Sequence, residues 1–135
     1  RFINLEDPIN MEKSLVYGQK ISGHFVQGHV DTTAAVKKII FVDKTWLIRF
    51  QLKNKKLSKF LVEKASIGIN GVSLTIAKVK NNFFEVNIIP HKLKLTNLKN
   101  LKIACIVNAE LDIFFKYIMK LSKWVKKYSL LLKKL

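Results

Sequence analysis

The stretch Ser66-Ile67-Gly68-Ile69-Asn70-Gly71-Val72-Ser73-Leu74-Thr75-Ile76 decides the fold. Asn70-Gly71 stands between two β-type runs, and this dipeptide tolerates the positive φ angles of a two-residue hairpin turn. Past the turn, Val72, Leu74 and Ile76 alternate with Ser73 and Thr75. Period-two alternation puts the aliphatics on one face of a strand and both hydroxyls on the other. Those hydroxyls have two readings. Either they face water or a neighbouring strand, or they read a polar heterocycle or a sugar chain.

The same alternation recurs on both sides of this hairpin. Trp46, Ile48, Phe50 and Leu52 alternate with Leu47, Arg49 and Gln51, as a half-buried strand requires, and Asp43-Lys44-Thr45 joins it to the run Ala34 to Val42. Phe84, Val86 and Ile88 alternate with Glu85 and Asn87 after a Lys80-Asn81-Asn82 turn, and Pro90 ends that strand because proline cannot donate into a central ladder. Lys56 to Glu63 reads as a short helix, with Leu57, Phe60 and Leu61 at helical spacing. Several short strands at this spacing predict a closed barrel or a sandwich rather than a parallel sheet.

The period changes at the carboxy terminus. Phe114, Ile118, Leu121, Val125, Tyr128, Leu132 and Leu135 step by four and three, an a/d heptad seam. Three heptads exceed what one helix needs to pack on a small barrel, so self-association is expected. A basic amphipathic helix lying on a membrane surface, with Trp124 near the interface, is the rival, and packing on its own domain is the third possibility.

A chain of 135 residues fits one domain with a real core. No run reaches the 18 or more apolar residues that span a bilayer, so no membrane partner is expected. Cys105 is alone and cannot form an internal disulfide, and a buried, reduced thiol in a cytoplasmic protein is the default. The net charge of +16 suggests nucleic acid, but of 25 basic residues only Arg1 and Arg49 are arginines. Specific base and phosphate recognition favours arginine's planar fork, so no specific nucleic-acid partner is expected. Lysine over arginine, with abundant Asn, Ile and Phe, matches an AT-biased genome drifting its surface positions. Nonspecific attraction to polyanions still follows from the charge.

Three histidines could carry chemistry: His24, His29 and His91. His24 and His29 are five apart and would face opposite sides of a regular strand, so they should not chelate one metal. Gly23 and Gly28 each precede a histidine and mark either barrel-corner bulges or the close approach of another group. A Ser-His-Asp set could be assembled from Ser73, His29 and Asp31, but nothing in the spacing argues for one. Near the start, Ile3-Asn4-Leu5-Glu6 is echoed by Val107-Asn108-Ala109-Glu110, 104 residues on. A repeat at that period would mean tandem β-domains, with the first residues ending a preceding one.

Four segments together resemble the riboflavin synthase family, the alpha-chain type built from two lumazine-binding repeats. They are Gly23 through Asp31, Lys64 through Ile76, Ile88-Ile89-Pro90-His91-Lys92-Leu93 with Thr96-Asn97-Leu98, and Val107 through Asp112 leading into Lys116-Tyr117-Ile118. They stand in the family's order and spacing and cover nearly the whole chain.

The resemblance implies a mainly β fold, a six-stranded Greek-key barrel followed by a C-terminal α-helix that assembles a homotrimer. It divides the chain into residues 1–8, the tail of an absent amino-terminal barrel; 9–112, the carboxy-terminal lumazine-binding barrel; and 113–135, the oligomerisation helix. The chemistry implied is the last step of riboflavin biosynthesis. One 6,7-dimethyl-8-ribityllumazine gives a four-carbon unit to a second, yielding riboflavin and 5-amino-6-(D-ribitylamino)uracil, with no metal or organic cofactor. Carried over by position, Gly28, His29 and Val30 form one wall of a lumazine pocket and Lys64 stands at its rim. Ser73, Leu74 and Thr75 supply the hydroxyl strand, and Ile88, Ile89, Pro90, His91, Lys92 and Leu93 close the other side. His29 and Asp112 approach a neighbouring subunit, where they would move protons or orient the reacting pair.

Two departures matter. Lys92 stands where the family usually has threonine, replacing a small hydroxyl with a flexible charge. The amino-terminal barrel that completes the family's active site is also missing, so the isolated chain is expected to be weakly active at best. The alternative is a barrel that holds lumazine or flavin without turning it over.

Overall fold

The computed structural model describes residues 5–132; side chains are described as far as Ser129. Six strands form a closed antiparallel barrel: β1 (Thr32–Val42), β2 (Thr45–Leu52), β3 (Ser66–Ile69), β4 (Val72–Lys80), β5 (Phe83–Ile88) and β6 (Ile106–Leu111), in the spatial order β1-β2-β5-β4-β3-β6. Strands β3, β4 and β5 are a meander. β2 returns beside β5 and β6 beside β3, so two Greek keys share the same three strands. The expected six-stranded barrel is the fold observed.

Local chemistry explains the corners. Asn70 (φ +47°) and Gly71 (φ +80°) both take positive φ, as a two-residue primed turn demands, and Asp43 (φ +45°) and Lys44 (φ +65°) do the same between β1 and β2. Register shifts between Val36 and Lys38 and between Ile76 and Lys78 bend β1 and β4. Such bulges supply the curvature that closes a small barrel.

Inside, the alternation seen in sequence becomes the core. Ile48, Phe50 and Leu52 of β2 face Phe84, Val86 and Ile88 of β5, all essentially inaccessible to water. Phe50 and Phe84 are direct cross-strand partners with ring centroids 5.2 Å apart. Each fully buried side chain of this size stabilises the fold by about 1.5–3 kcal/mol. On the outer face, Arg49 donates to Glu85 from Nε at 2.8 Å. Cys105 is free and half-buried rather than deep in the core.

The predicted helix after β2 is a 3-10 turn, Lys55–Phe60, started by the Asn54 side chain accepting from Lys56 N. β5 stops before Pro90, as expected, and Pro90 also begins a short helix α1 (Pro90–Leu95) that the sequence reading did not foresee; a further 3-10 turn covers Asn97–Asn100. The long helix α2 runs Ile113–Leu132. Its Phe114, Ile118, Leu121, Val125 and Tyr128 are exposed, so most of the predicted seam has no cover among the described residues. Leu132 has no described side chain, and Leu135 lies outside the described residues, as do Ile3 and Asn4 of the sequence echo. No described helix is long and apolar enough to cross a membrane.

One expectation is corrected here. The Ser22–Asp31 segment is not a regular strand: residues 5–31 join no ladder. Gly23 (φ +103°) and Gly28 (φ +78°) break the period-two geometry. Side chains hold the segment instead. Glu110, buried in β6, accepts from the backbone N–H of Gln27 at 2.7 Å and of Gly28 at 3.0 Å.

Candidate functional site

Ser73 lies on the outward face of β4, opposite Gly68 of β3, while Leu74 beside it points into the core. Two side chains converge on it. His24 Nδ1 is 2.7 Å from Ser73 Oγ, and Lys92 Nζ, from α1, donates to the Ser73 carbonyl oxygen at 2.7 Å. The chain reaches Ser73 so closely only because residue 23 is glycine: a Cβ there would stand 2.6 Å from the hydroxyl oxygen. Lys92, expected as a flexible charge, is thus pinned to the hydroxyl strand instead of roaming.

His24 is half-buried, and burial lowers its pKa from the ordinary 6.5. The carboxylates of Asp112 and Glu110 oppose that shift, and the Lys92 ammonium reinforces it. A neutral imidazole next to a serine hydroxyl can orient that hydroxyl or exchange a proton with it.

The remaining predicted residues sort by surroundings. Gly28, His29 and Val30 are exposed on the segment held by Glu110. Thr75 is exposed on the same β4 face as Ser73. Ile89, Pro90 and His91 are exposed at the start of α1, and Leu93 packs partly against the core. Lys64 is exposed, with φ +71°, and its N–H donates to Ile76 O. Leu74 and Ile88, by contrast, are core residues at 3% and 0% exposure, so only their backbone is available to a ligand.

Asp112 has a structural duty as well. Its Oδ1 accepts from Phe114 N at 2.9 Å and caps α2, leaving the other oxygen without that task. Asp31 also serves the fold, accepting from Leu111 N at 2.8 Å and from Lys116 Nζ at 2.7 Å. The histidine on Ser73 is therefore His24 rather than His29, and Asp31 is engaged elsewhere. Sequence reasoning named His24 among the histidines that could carry chemistry but did not place it in the pocket, and it missed Glu110 as the anchor of its segment. The Gly23-His24 pair was the available signal, since a glycine that admits a close neighbour also aims the residue after it. Among the described residues, no three His, Cys, Asp or Glu side chains gather as a metal site.

The sequence has curated relatives. Riboflavin synthase of Buchnera aphidicola subsp. Schizaphis graminum is 36% identical over 121 residues, 90% of this chain and 58% of that protein. Riboflavin synthase of Actinobacillus pleuropneumoniae is 41% identical over 113 residues, 82% of this chain and 51% of that protein. The chain thus spans a little over half the length of the curated relatives it matches. Among solved structures, LumP complexed with 6,7-dimethyl-8-(1'-D-ribityl) lumazine aligns with a TM-score of 0.61 at 23% identity, covering 71% of this chain and 51% of that one. LumP complexed with flavin mononucleotide aligns at 0.58 and 27% identity, covering 64% and 49%. Residues 27–112 match the family model described as the lumazine binding domain, and the chain belongs to that family.

Proposed function

We propose that this chain is the carboxy-terminal half of a riboflavin synthase, its barrel holding one 6,7-dimethyl-8-ribityllumazine beside Ser73. The observation that carries the reading is the Ser73 cluster: a serine fixed through both its hydroxyl and its carbonyl, on the strand where the family resemblance puts the ligand. Around it, Gly28, His29 and Val30 would flank the ring, Lys64 and Thr75 would meet the ribityl chain, and Ile89 to Leu93 would cover the far side. Leu74 and Ile88 would contribute backbone groups only. A flat, partly polar ring needs this mixture of apolar contact and a few placed donors.

The reaction joins two lumazines, one donating a four-carbon unit to the other. Proximity and orientation account for much of the acceleration in such a bimolecular step. A barrel of this kind holds one partner, so a second barrel must present the other. We place that second barrel upstream, with residues 1–8 as its tail, 9–112 as the barrel described and 113–135 as the helix that joins subunits into a homotrimer in the cytoplasm. His29 and Asp112 would then face the neighbouring subunit and assist proton transfer.

The test is riboflavin formation from 6,7-dimethyl-8-ribityllumazine, followed by flavin absorbance. The chain alone is expected to bind lumazine with little turnover, and fusion to an amino-terminal lumazine-binding barrel should raise turnover at least a hundredfold. Rapid turnover by the chain alone would overturn the half-site reading. A second reading, a non-catalytic lumazine or flavin carrier, is favoured by the likeness to LumP complexed with flavin mononucleotide. It predicts tight flavin binding and no turnover even in the fused protein.

A further inference from the structure

Ser73 is constrained more tightly than a surface strand serine needs to be. Its backbone pairs with Gly68, its carbonyl accepts from Lys92, and bare Gly23 backbone closes over its side chain. The hydroxyl then meets one partner, His24 Nδ1. The opposite ring nitrogen, Nε2, is buried without a hydrogen-bond partner among the described residues. Among the described residues, the imidazole is therefore hydrogen-bonded at one end only.

That asymmetry selects a tautomer. With its proton on Nε2, the neutral ring would bury an N–H with nothing to receive it. With its proton on Nδ1, the ring donates to Ser73 Oγ and leaves only a lone pair bare at Nε2. Orphaned buried N–H groups are rarer in proteins than under-satisfied acceptors. A hydroxyl has a single proton, so a serine that accepts from His24 keeps that proton for another acceptor.

We propose that His24 is a positioning residue that carries its proton on Nδ1, donates to Ser73 and thereby commits the Ser73 proton to a ring carbonyl of the bound heterocycle. This deepens the lumazine-site reading and rests on it: a lumazine presents two ring carbonyls as acceptors. The device gives the site a preference for ligands with an acceptor at that edge. It also explains why glycine precedes His24, since any Cβ at 23 would push the imidazole off the serine.

Two measurements test the inference. The first uses ¹⁵N-histidine-labelled full chain without ligand, whose ring nitrogen shifts report the tautomer. His24 should carry its proton on Nδ1, and Ser73→Ala should shift that signal. The second is lumazine binding, read by quenching of ligand fluorescence in folded variants. His24→Phe, which keeps a ring but no nitrogen, should weaken binding about tenfold, the loss of roughly one well-placed hydrogen bond. His24→Asn, whose amide can donate from near the Nδ1 position, should recover most of that loss. The double variant His24→Phe with Ser73→Ala should bind no more weakly than Ser73→Ala alone. A proton on Nε2, unchanged binding by His24→Phe, or fully additive effects would overturn the proposal. If the wild-type chain bound no lumazine, the lumazine reading would fall by itself, while the nitrogen shifts would still decide the His24–Ser73 relationship.

Discussion

Asn70 and Asn108 are joined twice: Asn70 N donates to Asn108 O at 3.0 Å, and Asn108 N donates to Asn70 Oδ1 at 2.9 Å. The first turn residue of the β3–β4 hairpin therefore extends the β3–β6 ladder beyond its last registered pair, Ile69 and Ala109. Asn70 also provides the positive φ of the turn, so one residue both turns the hairpin and helps to close the barrel. Asn70→Ala should cost about 2 kcal/mol, combining left-handed strain with a lost hydrogen bond. Asn70→Gly should cost about 1 kcal/mol, because it removes the bond but relieves the strain. Urea unfolding of both variants checks the order, and equal losses would show that the turn conformation is not strained.

The hairpin was the part of the molecule most open to reading from sequence, because its information is local. Asn-Gly sets the turn, and alternation sets which side chains face the core. The segment from Ser22 to Asp31 was not open in that way. Its conformation depends on Glu110, some eighty residues away, accepting two of its backbone N–H groups, and on the room Gly23 leaves for Ser73. Neither relationship has a periodic signature. The same distinction separates the site residues: Ser73 and Thr75 follow from strand alternation, whereas the choice of His24 over His29 depends on two positive-φ glycines. Leu74 and Ile88 show the converse, since their inward direction was implied by the alternation that also identified the strands.

Gly23→Ala tests the close approach directly. The added Cβ would collide with Ser73, and the φ of +103° would itself strain any side chain at that position. The segment should detach locally while the barrel, held by its own ladders, remains. Lumazine binding should fall at least tenfold and the amides of Gln27 and Gly28 should exchange faster with solvent. The midpoint of barrel unfolding should move much less than it does in Asn70→Ala. Loss of the whole fold would mean that the segment is integral to the barrel.

The pH dependence follows from His24. Burial lowers its folded pKa below the ordinary 6.5, so the unfolded chain takes up the proton first as the pH falls. Stability should be level above about pH 7 with respect to this group, decline as pH falls below 6.5, and level off below the folded pKa. His24→Asn should flatten that decline. Lys92→Thr removes a cation that lowers the pKa and should move the His24 titration up, whereas Asp112→Asn removes a carboxylate that raises it and should move the titration down. Urea unfolding across pH reads the first effect, and NMR titration of the His24 ring reads the other two, where opposite movements would mean that the imidazole faces other charges than these.

Helix α2 poses the remaining question of assembly. Leu121, Trp124, Val125, Tyr128 and Ser129 line a groove of about 390 Å³ on the helix surface, and all four large side chains are more than half exposed. Trp124 and Tyr128, one turn apart, already pack against one another with ring centroids 5.3 Å apart and planes tilted by 43°, which stiffens the stripe without covering it. Burying a stripe of this size against a second copy would return about 1.5–3 kcal/mol for each large side chain fully enclosed, before the cost of association is subtracted. Leu121→Glu with Val125→Glu should therefore convert an assembled species to monomer in sedimentation velocity, with the helical circular dichroism kept. In the proposed homotrimer the lysines around the stripe would repel one another at low salt, so association should tighten as salt rises. An assembly unaffected by the double charge substitution would place the interface elsewhere on the barrel.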